Sequence, residues 1–240
     1  MSTRQQSQTG SSNAWKNAPT ESVDVGGTNF VYRQLGTDTG VPVIFLNHLA
    51  AELDRWDPRV VNGIAARRRV IAFDNRGIGA SEGRKIILAG TGPAGGTGIG
   101  KVASVTVRDM IKSALTFKHP EYYLFFTKTP NGRRAAREFL KRLKERTEDR
   151  DKPVSLVAFA TQLKAIHAWA RQAPADLSRI HHPVLVANGD QDKMVPSSNS
   201  VDLAHRLPNA ELVLYDDAGH GGIFQYHEQF VTKALGFLDG

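Results

Sequence analysis

Apolar positions change their spacing twice along this chain. Up to residue 100 they fall in short runs bounded by glycine and polar residues. Val23–Val25 and Phe30–Arg33 flank the pair Gly26–Gly27, which predicts a hairpin with the glycines at its turn. Val41–Leu46 is a continuous apolar run, the pattern of a strand buried on both faces of a parallel sheet. Arg55–Ala66 reads as a short helix. Val70–Phe73 reads as a second buried strand, ending at Asp74 and followed by the glycine-rich turn Asn75–Gly79. Ile86–Ala89 is a third apolar run, followed by a glycine-rich loop from Gly90 to Gly100.

From residue 101 the period lengthens. Apolar residues recur at helical spacing in Val102–Phe117, Ala135–Leu143 and Val157–Trp169, punctuated by Pro120, Pro130 and Pro153. This predicts an all-helical insertion of three or four helices over 101–172. Strand–helix alternation then returns: Val184–Ala187 as strand, Val201–Arg206 as helix, Glu211–Tyr215 as strand and Gln225–Leu238 as closing helix. Such alternation builds an open, mostly parallel α/β sheet. The expected organisation is a disordered polar tail over 1–21, a core formed by 22–100 and 173–240, and a helical cap formed by 101–172.

Composition narrows the function classes. Hydrophobic residues make up 40% of the 240 positions, enough to bury a core. No apolar run approaches the roughly 18–20 residues that cross a bilayer, and no signal-peptide pattern opens the chain, so no membrane partner and a cytoplasmic location are expected. Without cysteine there is no disulfide framework, thiol nucleophile or Cys-ligated metal. The net charge of +7 raises nucleic-acid binding. However, the basic run from Arg133 to Lys152 is interleaved with Glu138, Glu145, Glu148, Asp149 and Asp151, the pattern of a solvated helix face. No nucleic-acid partner is expected.

The chemistry concentrates in two loops near the C-terminus. Gly189-Asp190-Gln191-Asp192-Lys193-Met194-Val195-Pro196 follows one predicted strand, and Asp217-Ala218-Gly219-His220-Gly221 follows the next. Ligands of open α/β sheets sit beyond the carboxyl ends of the strands, where a carboxylate and an imidazole from successive strand ends can meet. The carboxylate would fix the histidine tautomer and stabilise the imidazolium. His181, His182 and His227 show no metal-ligand spacing, and no metal or cofactor is expected. His167 and Trp169 read as packing residues of the cap.

These loops, together with Leu46-Asn47-His48-Leu49 after the first buried run and Phe73–Ser81 after the second, resemble the α/β-hydrolase family from residue 22 to 240. The resemblance implies an α/β-hydrolase-like, mostly parallel sheet with a helical cap. It also implies a cofactor-free hydrolase of small ester or related acyl substrates. By position Asp192 matches the family's acid, His220 its histidine, and the backbone N–H of Leu49 one oxyanion donor.

The resemblance breaks after Gly83. A member of the family continues there with a helix, a central strand, a Gly-x-Ser-x-Gly elbow carrying the nucleophile, and a second helix. Here Glu82–Lys85 runs straight into Ile86–Ala89. Gly79-Ala80-Ser81-Glu82-Gly83 matches the elbow string. However, Ser81 lies seven residues past Asp74 and no helical pattern follows it, so it reads as a turn residue rather than a nucleophile. The eleven residues Asn75–Lys85 are too few to span the sheet and also form a covering helix, since parallel neighbours need a crossover of a dozen or more. Ile86–Ala89 is therefore expected to pair antiparallel, to shift position, or to leave a gap, with self-association through exposed apolar surface. Gly90–Gly95 and Gly95–Lys101 imitate nucleotide-binding motifs but lack the ribose-binding acid and the magnesium hydroxyl, respectively.

The sequence thus predicts a small-molecule site with Asp and His retained and the nucleophile lost. The alternatives are a general base without a covalent intermediate, a binding module without turnover, and a deletion product with no function of its own.

Overall fold

The computed structural model describes residues 14–25, 28–37, 40–46, 53–73, 85–151 and 154–239. Strands β1 (Glu21–Val25) and β2 (Thr28–Leu35) form the expected antiparallel hairpin. β2 pairs antiparallel with β4 (Val70–Phe73), and β4 pairs parallel with β3 (Val43–Leu46), giving the order β1-β2-β4-β3. A second sheet runs β5 (Ile86–Ala89), β6 (Val184–Gly189), β7 (Ala210–Tyr215), parallel throughout. The apolar run Ile86–Ala89 therefore pairs parallel, in register with Val184–Ala187.

α1 (Pro58–Ala65) and α6 (Ser198–Arg206) connect strands, and α7 (Gly222–Gln225) and α8 (His227–Asp239) follow the last one. α1 starts sharply because Asp57 caps it, accepting from the Arg59 N–H at 2.9 Å, and because Pro58 takes the first turn, where its missing donor costs nothing. The helical insertion contains α2 (Val102–Thr116), α3 (Pro120–Leu124), α4 (Pro130–Arg142) and α5 (Leu156–Ala170). Thr129 and Ser155 cap α4 and α5.

Burial separates the two sheets' inner strands. All six residues of β6 are buried, as a strand with parallel neighbours on both sides should be. β3 departs from expectation: Ile44 is 38% and Leu46 45% exposed. Among the described residues β3 has β4 alone as a neighbour, and so forms the edge of its sheet, as β5 does of the other. One apolar cluster nevertheless joins both sheets, running from Phe45, Val70 and Ala72 through Ala187, Tyr215 and Phe224.

Residues 14–21 of the polar tail expected over 1–21 carry a packed aromatic residue. Trp15 is buried, its backbone N–H donates to Asn62, and its ring lies 5.2 Å from the Arg33 guanidinium. Arg33 is itself buried. It donates to Asp54 at 2.8 Å and to Asp151 at 3.1 Å, while Asp54 and Asp151 exchange backbone bonds. A lone buried guanidinium would be prohibitive, so these carboxylates are what allow β2 to carry it. Arg142 at the end of α4 similarly grips Asp57 through both carboxylate oxygens and donates to the Phe224 carbonyl, fixing the cap to the core. Replacing Asp54 by Ala leaves the buried Arg33 with Asp151 as its remaining carboxylate partner and removes Asp54 from Arg146, and a loss of about 3 kcal/mol in unfolding free energy, read by urea titration, is expected.

Candidate functional site

The site is built where β6 and β7 end. Gly189, the last residue of β6, packs against the Ala218 and Gly219 backbone so closely that a Cβ there would overlap their carbonyls. The loops after the two strands are stitched together: the Asp190 N–H donates to Tyr215 O at 2.9 Å and the Gln191 N–H to Ala218 O at 2.9 Å. Asp192 and His220 meet at this seam, with His220 Nδ1 2.8 Å from Asp192 Oδ2. A carboxylate only accepts, so Nδ1 carries the proton and Nε2 is left basic.

Each carboxylate oxygen has its own task. Oδ1 accepts from the backbone N–H of Met194 at 2.8 Å and Val195 at 3.1 Å, and Oδ2 faces the imidazole. The Asp192 side chain is fully buried and that of His220 is 12% exposed. Burial alone would push the imidazole toward its neutral form. The Asp192 charge, aided by the hydrogen bond, outweighs burial and raises the His220 pKa above the ordinary 6.5.

Three further contacts hold the imidazole, none of them legible as a motif. Phe125 meets it edge-on at 5.3 Å between ring centres. Gly90, at the end of β5 with φ +57°, leaves so little room that a Cβ would lie 3.2 Å from His220 Cε1. Asp217, itself at φ +50°, accepts from Thr127 (2.8 Å), Thr129 (2.7 Å) and Asn131 (3.2 Å), which ties the histidine loop to the start of α4. Partial burial opposes the Asp217 charge, but these donors prevail and hold its carboxyl below the usual range.

Leu49 and Ser81 lie outside the described residues, as does the turn Asn75–Gly79. Among the described residues, Asp192 is the hydrogen-bond partner of the His220 side chain, and no hydroxyl reaches the imidazole. No group of three metal-binding side chains occurs among them, and no helix is long and apolar enough to cross a membrane. The glycine-rich loop after β5 spends its close approaches on protein. Trp169 Nε1–H donates to Gly92 O, Asn199 donates to Thr97 O, and a Cβ on Gly96 would strike the Asn199 side chain and the Pro93 carbonyl. A cavity of about 440 Å³ opens beside the Asp192–His220 pair, lined by Leu124, Phe126, Lys128, Gln191, Lys193 and Gly219 among others. His167 and Trp169 do not line it.

The chain belongs to the α/β-hydrolase family. A solved α/β hydrolase fold protein from Chitinophaga pinensis superposes with a TM-score of 0.87 at 32% identity, covering 95% of this chain and all of that one. The family model for the alpha/beta hydrolase fold matches residues 113–225. A protein of Caulobacter sp. (strain K31) that carries the name of a carbamate hydrolase is 45% identical over 65 residues. That stretch is 27% of this chain and about a quarter of the relative's length. The non-heme chloroperoxidase of Streptomyces lividans is 24% identical over 271 aligned positions, covering 88% of this chain and 96% of the relative. Since 271 exceeds the 240 residues of this chain, the chloroperoxidase carries stretches without a counterpart here.

Gly90→Ala should move the imidazole. A displaced His220 Cε1–H resonance in the NMR spectrum, with stability lowered by about 1 kcal/mol from the left-handed backbone, is the expected outcome.

Proposed function

We propose that this chain is a hydrolase-fold enzyme for small esters or related acyl substrates in which His220, held by Asp192, acts as a general base on water and no acyl-enzyme forms. The observation that carries this reading is the His220–Asp192 contact of 2.8 Å, with no described hydroxyl meeting the imidazole. In the reaction Nε2 removes a proton from water as its oxygen attacks the carbonyl carbon. The resulting imidazolium, stabilised by Asp192, then returns the proton to the leaving group as the carbonyl–heteroatom bond breaks. The likeness to the α/β-hydrolase family assigns the backbone N–H of Leu49 as one donor to the developing oxyanion.

Loss of the nucleophile segment is the companion reading. The division between β3 and β5, the exposed side chains of β3, and the unmatched stretches of the chloroperoxidase all support it. Apolar side chains also remain exposed on α2 (Ile111, Leu115) and α5 (Leu156, Val157), and self-association through such surface belongs to the same reading.

The test is a pH–rate profile on a small activated ester with three variants. The rate should rise with pH as His220 loses its proton, through an apparent pKa above 6.5, because the raised pKa keeps the imidazole protonated at lower pH. His220→Ala should lose about 10²–10⁴-fold, the usual worth of a general base. Asp192→Asn should shift the profile downward in pH, since burial then acts unopposed, and lower the plateau. Ser81→Ala should leave profile and rate unchanged; a rate abolished in Ser81→Ala would restore a serine mechanism and overturn the proposal.

A further inference from the structure

The positive charge of this protein is concentrated in the cap. Between residues 101 and 151 there are thirteen Lys and Arg against seven Asp and Glu, so this stretch holds six of the seven net positive charges. Part of that charge is neutralised by structural pairs. Arg142 pairs with Asp57 and Arg146 with Asp54, while Lys193, from outside this stretch, pairs with Asp109. Lys112, Lys118, Lys128 and Arg133 have no ion pair with a carboxylate among the described residues, and together with Lys193 they line one cavity of about 200 Å³.

That cavity has fixed walls. Lys112 Nζ sits 4.2 Å over the Tyr123 ring and Lys118 Nζ 4.3 Å over the Tyr122 ring, so both ammonium groups are anchored on aromatic faces. The backbone invests in this placement. Phe117 takes a left-handed φ of 53° with its side chain 98% exposed, a cost without packing return, and the chain turns there so that Ser113 accepts the Lys118 N–H at 3.2 Å. Gathering the four unpaired cations Lys112, Lys118, Lys128 and Arg133 beside Lys193, whose charge Asp109 offsets, raises the local potential, and an anion would relieve it.

The cavity is continuous with the site. It shares Phe126, Thr127, Lys128 and Lys193 with the larger cavity, which is also lined by Gly219 and Gln191, the neighbours of His220 and Asp192.

We propose that this cavity is an anion subsite for a multiply charged group, a phosphate ester or a polycarboxylate, at the end of the substrate remote from the reacting carbonyl. Three unpaired lysines supply compact point charges of the kind that bind phosphate, and Arg133 a planar fork that can grip its oxygens. Assigning the anion to a substrate rests on reading the Asp192–His220 pair as the reacting end, whereas the anion site itself does not.

The test therefore uses the full chain carrying His220→Ala, which removes the chemistry and leaves the subsite. Inorganic pyrophosphate and citrate are titrated by calorimetry, and the tighter probe tells phosphate from carboxylate recognition. Saturable binding of one of them, weakening with added salt, is expected. Lys128→Gln, at an exposed side chain with no bond to break, should weaken it several-fold, and Lys112→Gln with Lys128→Gln by about tenfold or more. The control pair Arg134→Gln with Arg137→Gln removes the same charge from the exposed face of α4 and should change binding less than about twofold. Melting curves check that each variant is folded. Absence of saturable binding, or equal weakening in the control pair, would overturn the subsite. Binding that persists while the parent chain shows no esterase rate would overturn the hydrolytic reading alone.

Discussion

The site depends on the close parallel approach of β6 and β7 at their carboxyl ends. Only a residue without a side chain can stand at Gly189, because the Ala218 and Gly219 backbone occupies the space a Cβ would need. That contact fixes two loops from different strands relative to each other, and with them a carboxylate and an imidazole 28 residues apart in sequence. The rigidity behind it comes from β6, buried along its whole length between β5 and β7. The imidazole is then boxed by Phe125, Gly90 and the Asp217 anchor, so its orientation is set by backbone packing rather than by one hydrogen bond.

The cap is attached to this frame by charge. Arg142 and Arg146 reach from α4 and the following loop to Asp57 and Asp54, and the Asp217 carboxylate receives donors from both sides of Thr129. These buried pairs hold the cap at a fixed place over the strand ends. The lysines left without acidic partners face a cavity that continues to the same strand ends. Structural and unpaired cations thus divide the cap's charge into two roles.

Much of this was legible in the sequence. Short apolar runs marked β3 to β7 and the Gly26–Gly27 turn marked β1 and β2 as a hairpin, while helical periodicity placed α2 and α5 within one or two residues and α4 with its first five residues missed. The Asp192 and His220 loops stood out because each follows a predicted strand directly. What escaped depends on contacts distant in sequence. The run Val41–Leu46 looks like a central strand, yet its exposure is decided by what lies beside it, and β3 has a neighbour on one side only among the described residues. Trp15 sits in a polar tail, and only a guanidinium from β2 and the Asn62 side chain reveal why it is buried. Gly90 matters for its distance from His220, 130 residues on. The basic residues of the cavity come from α2, the turn between α2 and α3, the loop before α4, α4 itself and the acid loop, so no window of sequence shows them converging.

The account is tested most directly by intact-mass measurement after incubation with a fluorophosphonate, which phosphonylates a serine only when a neighbouring base activates it. The Asp192–His220 pair working on water predicts an unchanged mass in a chain whose ester hydrolysis still requires His220. A stoichiometric adduct that peptide mapping places on Ser81, and that stops turnover, would contradict it.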